Sequence, residues 1–248
     1  MSDTTYSFIL TILAGLSTLL GTIFIFIKTG KKENVITCSL SFAAGVMVCV
    51  SLVELIPEGF KLIHGTYNPF FSLLVTLLFL NIGVIISSLI DHFMPDGDNK
   101  LYKVGIISML AIILHNIPEG IATFLAGHAD RGLGLSLAIA IALHNIPEGI
   151  GISVPIYYAT KNKKKAFFYT FLSGISEPFG AVLAFFFLKN WVTDTIMGML
   201  FCFIAGIMIH ISFYELLKEA KTYHKPKWVI IFFVIGFLFM GFNQIIFG

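Results

Sequence analysis

The chain has 248 residues, of which 57% are hydrophobic and 12% charged, with a mean hydropathy of +0.91. Soluble domains carry about 25% charged residues, so a soluble globular fold is excluded and an all-α membrane protein is indicated. The formal charge of +2, without a basic patch interleaved with aromatics, excludes nucleic acid as a partner.

A bilayer-spanning helix needs roughly 20 apolar residues. Apolar runs separated by short polar clusters predict eight such helices, at 5–27, 35–60, 68–93, 102–127, 132–158, 166–188, 194–217 and 228–247. The first segment has no positive region before it, its first lysine being Lys28, and is expected to remain as a true span. Lysine and arginine are unevenly placed: the odd-numbered loops hold 13 and the even-numbered loops 3 of the 16. The positive-inside rule then puts the odd loops in the cytoplasm and both termini on the extracytoplasmic side. Cys38, Cys49 and Cys202 form neither a CxxC pair nor an even set and read as apolar helix residues. Trp191 and Trp228 fall at the predicted membrane interfaces, where such rings usually sit.

Three stretches recur. Residues 42–55 reappear as 203–216 at a constant offset of 161, identical at Phe42/Phe203, Ala44/Ala205, Gly45/Gly206, Met47/Met208, Ser51/Ser212, Glu54/Glu215 and Leu55/Leu216. Residues 14–21 align with 173–180, which sets Thr18 opposite Glu177. His-Asn-Ile-Pro-Glu-Gly-Ile occurs at 115–121 and again at 144–150. Each pair is an odd number of helices apart, so its members cross the membrane in opposite directions. That pattern indicates inverted repeats in a 3+2+3 arrangement, which place substrate sites near the midplane beside broken helices.

The doubled motif carries the chemistry. His115, Asn116 and Glu119 share one helical face, as do His144, Asn145 and Glu148. Pro118 and Pro147 each remove a backbone donor and disturb the carbonyl four residues back, at Leu114 and Leu143, so kinks are expected beside the polar residues. An ionised residue at the bilayer centre costs roughly 3 kcal/mol on insertion scales, so Glu119, Glu148 and Glu177 together represent on the order of 10 kcal/mol without compensation. A bound divalent cation supplies it. Imidazole with carboxylate and amide oxygens suits Zn(II), Fe(II), Mn(II) or Co(II), and the absence of thiolates argues against Cu(I). One lobe around His115 and His144 and another around Asn116, Asn145 and Glu177, with Glu119 and Glu148 bridging, would make the site binuclear. The competing reading is polar packing glue between helices.

These motifs, with Ser-Gly-Ile-Ser-Glu-Pro at 173–178 and the Ala-Gly-x-Met…Ser-x-x-Glu-Leu repeats, resemble the ZIP family of divalent metal transporters, in particular its bacterial ZupT-like branch. The resemblance covers essentially all eight helices. It implies a single transmembrane transporter domain over residues 1–248 in a bacterial inner (cytoplasmic) membrane. It also implies import of zinc, and of iron, manganese, cobalt or cadmium, as substrate with no resident cofactor. The family's ligands fall on His115, Glu119, His144 and Glu148 for one metal. For the other they fall on Asn116, Asn145, Glu177 and the two shared glutamates. Two departures stand out: residues 94–103 contain no histidine where many relatives carry a histidine-rich loop, and Asn145 stands where some relatives have aspartate.

Further along the path, Glu54 lies toward the external end of helix two, and Asp91 and Glu215 toward the cytoplasmic ends of helices three and seven. They read equally as entrance and exit ligands or as ordinary interfacial acids. Met47 and Met208 are soft donors in principle but favour core packing; His210, one turn before Glu215, is ambiguous, and His64, His92, His128 and His224 read as solvated. The expected partners are divalent metal ions and the lipid bilayer, with a homodimer left open. A membrane di-metal enzyme is the rival from another class, but HExxH, Gly-x-Ser-x-Gly and repeated His-x-x-His boxes are all missing from the sequence. A metal-gated channel is the third reading.

Overall fold

The computed structural model describes residues 1–26, 31–93, 99–188 and 193–247, the side chains of 187, 188 and 247 excepted. The loop segments at 94–98 and 189–190 and the interfacial position expected for Trp191 lie outside the described residues. Among those residues there is no strand, and eight helices are long and apolar enough to cross a membrane. They are α1 Asp3–Phe26, α2 Lys32–His64, α3 Pro69–Phe93, α4 Lys100–Ala129, α5 Arg131–Thr160, α6 Lys163–Phe186, α7 Asp194–Lys221 and α8 Pro226–Ile246. The largest departures from the sequence-based bounds are at the polar ends of α2, α6 and α7, where helical turns continue into the interface.

Capping side chains start three of the helices sharply. Asp130 alone joins α4 to α5, and its carboxylate accepts a hydrogen bond from the Leu133 amide at 2.8 Å. Asn99 and Asn162 cap α4 and α6 in the same way, accepting from Tyr102 and Lys165. Each such side chain satisfies an orphan amide of the first turn.

Burial orders the helices. The best spanning window of α2 is 78% buried and those of α4 and α5 are 72%, against only 22% for α3 and α8, so α2, α4 and α5 form the centre and α3 and α8 the outer rim. Helix α4 packs along α5 and α6, and α5 along α1; α2 packs along α8 and α7, and α3 along α7. The two groups, α1/α4/α5/α6 and α2/α3/α7/α8, meet where α2 crosses α5 and α4 crosses α7. Close approach within the second group relies on glycine. Gly45 and Gly236 lie directly against the carbonyl oxygens of Phe233 and Phe42 across the α2–α8 seam. Gly206 and Gly83 lie in the same way against those of Leu80 and Phe203 across the α7–α3 seam. Small residues at such seams let backbones touch where lipid offers no hydrophobic driving force.

Four of the helices change winding: α1 turns 3-10 over Thr18–Phe26 and α6 turns π over Ala184–Leu188, each at its C-terminal end, and two others do so in mid-helix. Helix α2 is π-helical over Val50–Leu55 and α7 over Ser212–Leu216, with Ser51 and Ser212 donating to the carbonyls of Met47 and Met208 at 2.8 and 2.7 Å. A π-turn inserts one residue and re-aims the side chains beyond it. Leu52, Val53, Phe213 and Tyr214 accordingly face outward, while Glu215 is buried and Glu54 half-buried.

Candidate metal centre

The site sits where α4, α5 and α6 converge, closed on one side by α1. His115, Asn116, Glu119, His144, Asn145, Glu148 and Glu177 are all buried. Helical geometry accounts for the grouping within each helix, since residues three and four apart share a face. The grouping between helices depends on glycine. Gly120 lies against the Glu177 carbonyl and Gly180 against that of Ile117, locking α4 to α6; Gly149 lies against the Thr18 carbonyl and Gly21 against the Ile146 carbonyl, locking α5 to α1. A β-carbon at any of these four positions would overlap backbone. Both long helices run unbroken through Pro118 and Pro147.

Glu119 is the hub. Its Oε1 lies 2.9 Å from His144 Nε2, a hydrogen bond, and 3.0 Å from His115 Nε2. His115 Nε2 is also 3.6 Å from Glu148 Oε1. The imidazole centroids are 5.9 Å apart, and one ligand atom from each of His115, Glu119 and His144 falls within 4.8 Å of the others. Ligands of a tetrahedral zinc ion, with bonds of about 2.0–2.1 Å, stand about 3.4 Å apart. The Glu119–imidazole spacings are therefore a few tenths of an ångström from those of a coordination shell.

The two asparagines are oriented by matching contacts. Asn145 Nδ2 donates to the Ala14 carbonyl at 3.0 Å and Asn116 Nδ2 to the Ser173 carbonyl at 3.3 Å. Both carbonyls also accept from a serine three residues on, Ser17 and Ser176, each at 2.6 Å. Because a carbonyl can only accept, these contacts fix the amide nitrogens outward and turn both Oδ1 atoms the other way. Asn145 Nδ2 further donates to Glu177 Oε2 at 2.8 Å. Glu177 opens the second part of α6 just after the chain turns at Ile175, and it occupies the place that Thr18, hydrogen-bonded to the Gly15 carbonyl, occupies on α1.

What remains is a set of buried ligand atoms with no hydrogen-bond partner: Asn116 Oδ1, Asn145 Oδ1, Glu119 Oε2, Glu148 Oε1 and Oε2, and Glu177 Oε1. Buried polar atoms in native proteins are nearly always paired, and a buried carboxylate without compensation is especially costly. The six open oxygens, all on residues of α4, α5 and α6, are a donor set whose chemistry suits a cation. All six are hard donors, and the two imidazoles add borderline nitrogen, a mixture suited to zinc and its first-row neighbours.

The other sequence-predicted residues divide. Glu54 lies within electrostatic reach of His144, Glu119 and His115, on the π-helical part of α2. Asp91 and Glu215 line a common cavity at the end where α3 and α4 are joined, well away from the centre. Met47 and Met208 are buried in the main apolar core, as their packing reading expected. His210 is buried outside the centre, 3.0 Å from Ser87 and stacked on Tyr214. His64, His92, His128 and His224 are exposed. Sequence reading missed the partner of Asp91: Lys103 Nζ is 2.8 Å from its Oδ1. A lysine one turn into α4, facing an acid in the last turn of α3, was the available signal.

Comparison with known proteins agrees with this chemistry. Residues 96–244 match the family described as ZIP Zinc transporter. The proteins named zinc transporter ZupT from Streptococcus mutans and Chlorobaculum parvum are each 39% identical to this chain, the first over 97% of both chains and the second over the full length of both. That of Akkermansia muciniphila is 40% identical over 94% of both. With the match running through every helix that builds the centre, the chain belongs to the ZIP zinc transporter family.

Proposed function

We propose that this protein imports divalent metal ions, zinc foremost, through the intramembrane centre of α4, α5 and α6. The observation that carries this reading is the set of six unpartnered buried oxygens beside two imidazoles. Burying such a set in lipid is costly, and a cation held among the oxygens offsets that cost. His115, Glu119, His144 and Glu148 hold one ion; Asn116, Asn145, Glu177 and the two shared glutamates hold a second. The names of the family and of its relatives point to zinc as cargo and to transport rather than catalysis. Iron, manganese, cobalt and cadmium are the further substrates that the same donor set favours.

Residues 1–248 work as one transporter domain of inverted repeats. Supporting this, the α2–α8 and α7–α3 seams use glycines at aligned positions, and the Asn145–Ala14 and Asn116–Ser173 contacts, both α-helix-to-α-helix, fall at positions the repeats align. The charge distribution of the loops puts both termini outside and the α3–α4 junction in the cytoplasm of a bacterial inner membrane. An ion enters past Glu54, exchanges waters for imidazole and carboxylate at the centre, and leaves past Asp91 and Glu215 as the helix groups shift against each other.

The test is zinc uptake into liposomes by the purified protein, with binding measured by titration calorimetry. Glu119→Ala and Glu148→Ala are expected to abolish uptake above the protein-free background. Wild-type uptake no faster than that of these variants overturns the reading.

A further inference from the structure

The cavity at the α3–α4 junction has a volume of about 200 Å³ and is lined by Asp91, Lys103, Glu215 and Lys218 among others. Two of these residues are locked together. Lys103 Nζ lies 2.8 Å from Asp91 Oδ1 and donates to the Asp91 backbone carbonyl at 3.0 Å, so the ammonium grips the last turn of α3 at two points. The side chains are only 15% and 28% exposed, which shields the pair from the screening that makes surface ion pairs weak. Its placement matters more than its strength. Helix α3 packs on α7 in one helix group, whereas α4 packs on α5 and α6 in the group that carries the metal centre. The pair therefore bridges the two groups, twelve residues along α4 from His115, or about 18 Å at the helical rise. Between lies a buried apolar layer that includes Ile107, Ala111, Ile207 and Ile211.

We propose that Lys103 is a tethered cation that holds the inner gate closed between transport events. Its ammonium sits on Asp91 in a cavity lined by three acids, Asp91, Glu215 and Glu219, and three lysines, Lys100, Lys103 and Lys218, on the exit path proposed above, and by doing so ties α4 to α3. An arriving ion, with twice the charge and two carboxylates to bind, displaces the ammonium from Asp91. Displacement frees α4 from α3, so opening is coupled to the presence of cargo. After the ion leaves, the lysine returns to the acid and restores the closed arrangement. This rests on the transport reading above and adds a positioning role to a residue outside the metal centre.

The experiment uses the full-length protein in liposomes containing a trapped zinc-sensitive dye. A contact made in only one of two states biases the equilibrium by its own strength. Lys103→Met is therefore expected to raise maximal zinc flux about two- to fivefold, the range for a partly shielded ion pair, while the half-saturating zinc concentration stays as in the wild type. Lys103→Arg, which keeps the charge, restores the wild-type flux. Should Lys103→Met fail to fold, Lys103→Gln serves as the neutral variant. A mere loss of structural support lowers the melting temperature as well, so a rise in zinc flux at an unchanged melting temperature and with no leak of the trapped dye marks the gate role. A folded neutral variant with flux equal to or below wild type overturns the gate role, and when Glu119→Ala is inactive in the same assay the transport reading survives. Wild-type protein that moves no zinc above protein-free liposomes overturns both.

Discussion

The contact between Gly120 and the Glu177 carbonyl makes a demanding test of how the centre is assembled. A β-carbon added at Gly120 would overlap that oxygen outright and come within 3.1 Å of the Glu177 α-carbon. Non-bonded carbon contacts are comfortable at roughly 3.5–4.0 Å, so α4 and α6 must separate by roughly 1 Å to admit it. Overpacking of this kind costs about 1–3 kcal/mol. It also pulls Glu177 away from Asn145, whose amide holds it at 2.8 Å, and a misplacement of about 1 Å in a reacting site costs on the order of 100-fold. Gly120→Ala is therefore expected to lower the melting temperature in detergent and to reduce zinc uptake roughly ten- to a hundredfold. Gly151→Ala is the control. Its β-carbon would meet only the Ala43 β-carbon, at an ordinary 3.5 Å, and replacing a mid-helix glycine by alanine gains about 0.5–1 kcal/mol. Thermal melts monitored by intrinsic fluorescence, with liposome flux alongside, separate the two. Equal stability for Gly120→Ala and Gly151→Ala would refute the backbone-contact reasoning.

Two further outcomes follow from the centre. Asn145→Asp replaces the donor that binds both Glu177 and the Ala14 carbonyl with a second negative charge, so the metal-free protein is expected to be less stable than wild type and zinc to raise its melting temperature more, because a ligand that binds the folded state stabilises it more the tighter it binds; an equal zinc-induced shift in the two proteins counts against a metal near Asn145. Met47→Leu and Met208→Leu, at core positions each only 1% exposed, are expected to cost less than about 1.5 kcal/mol and to leave zinc flux intact; loss of flux with unchanged stability would make either sulfur a ligand.

Much of the site could be read from the sequence because its chemistry is expensive in lipid. Glu119 and Glu148 stand in the middle of long apolar runs, each with a histidine four residues earlier, and no soluble-face explanation fits such placement. Glu177 was legible only through its neighbours, since a single acid before a proline also suits a helix end. The orientation of the two asparagine amides was not legible, because it depends on backbone carbonyls from helices more than fifty residues away. That Asp91 and Glu215 lie toward the C-terminal ends of their helices follows from the chain order, but that they share a cavity with Lys103 depends on how α3, α4 and α7 meet. His210 shows the limit of spacing arguments: one turn from an acid, it packs instead against Ser87 of α3.

The sequence by itself determined the spans, their number and the residues able to bind metal, because burial in lipid and helical periodicity act over a few turns and leave local patterns. Only the tertiary structure decided which oxygens remain unpaired, which glycines bring backbones into contact, where α2 and α7 take up an extra residue, and which lysine pairs with Asp91. Those features arise between helices distant in the chain, where contact geometry is set by the packing of the whole bundle and by no single stretch of it.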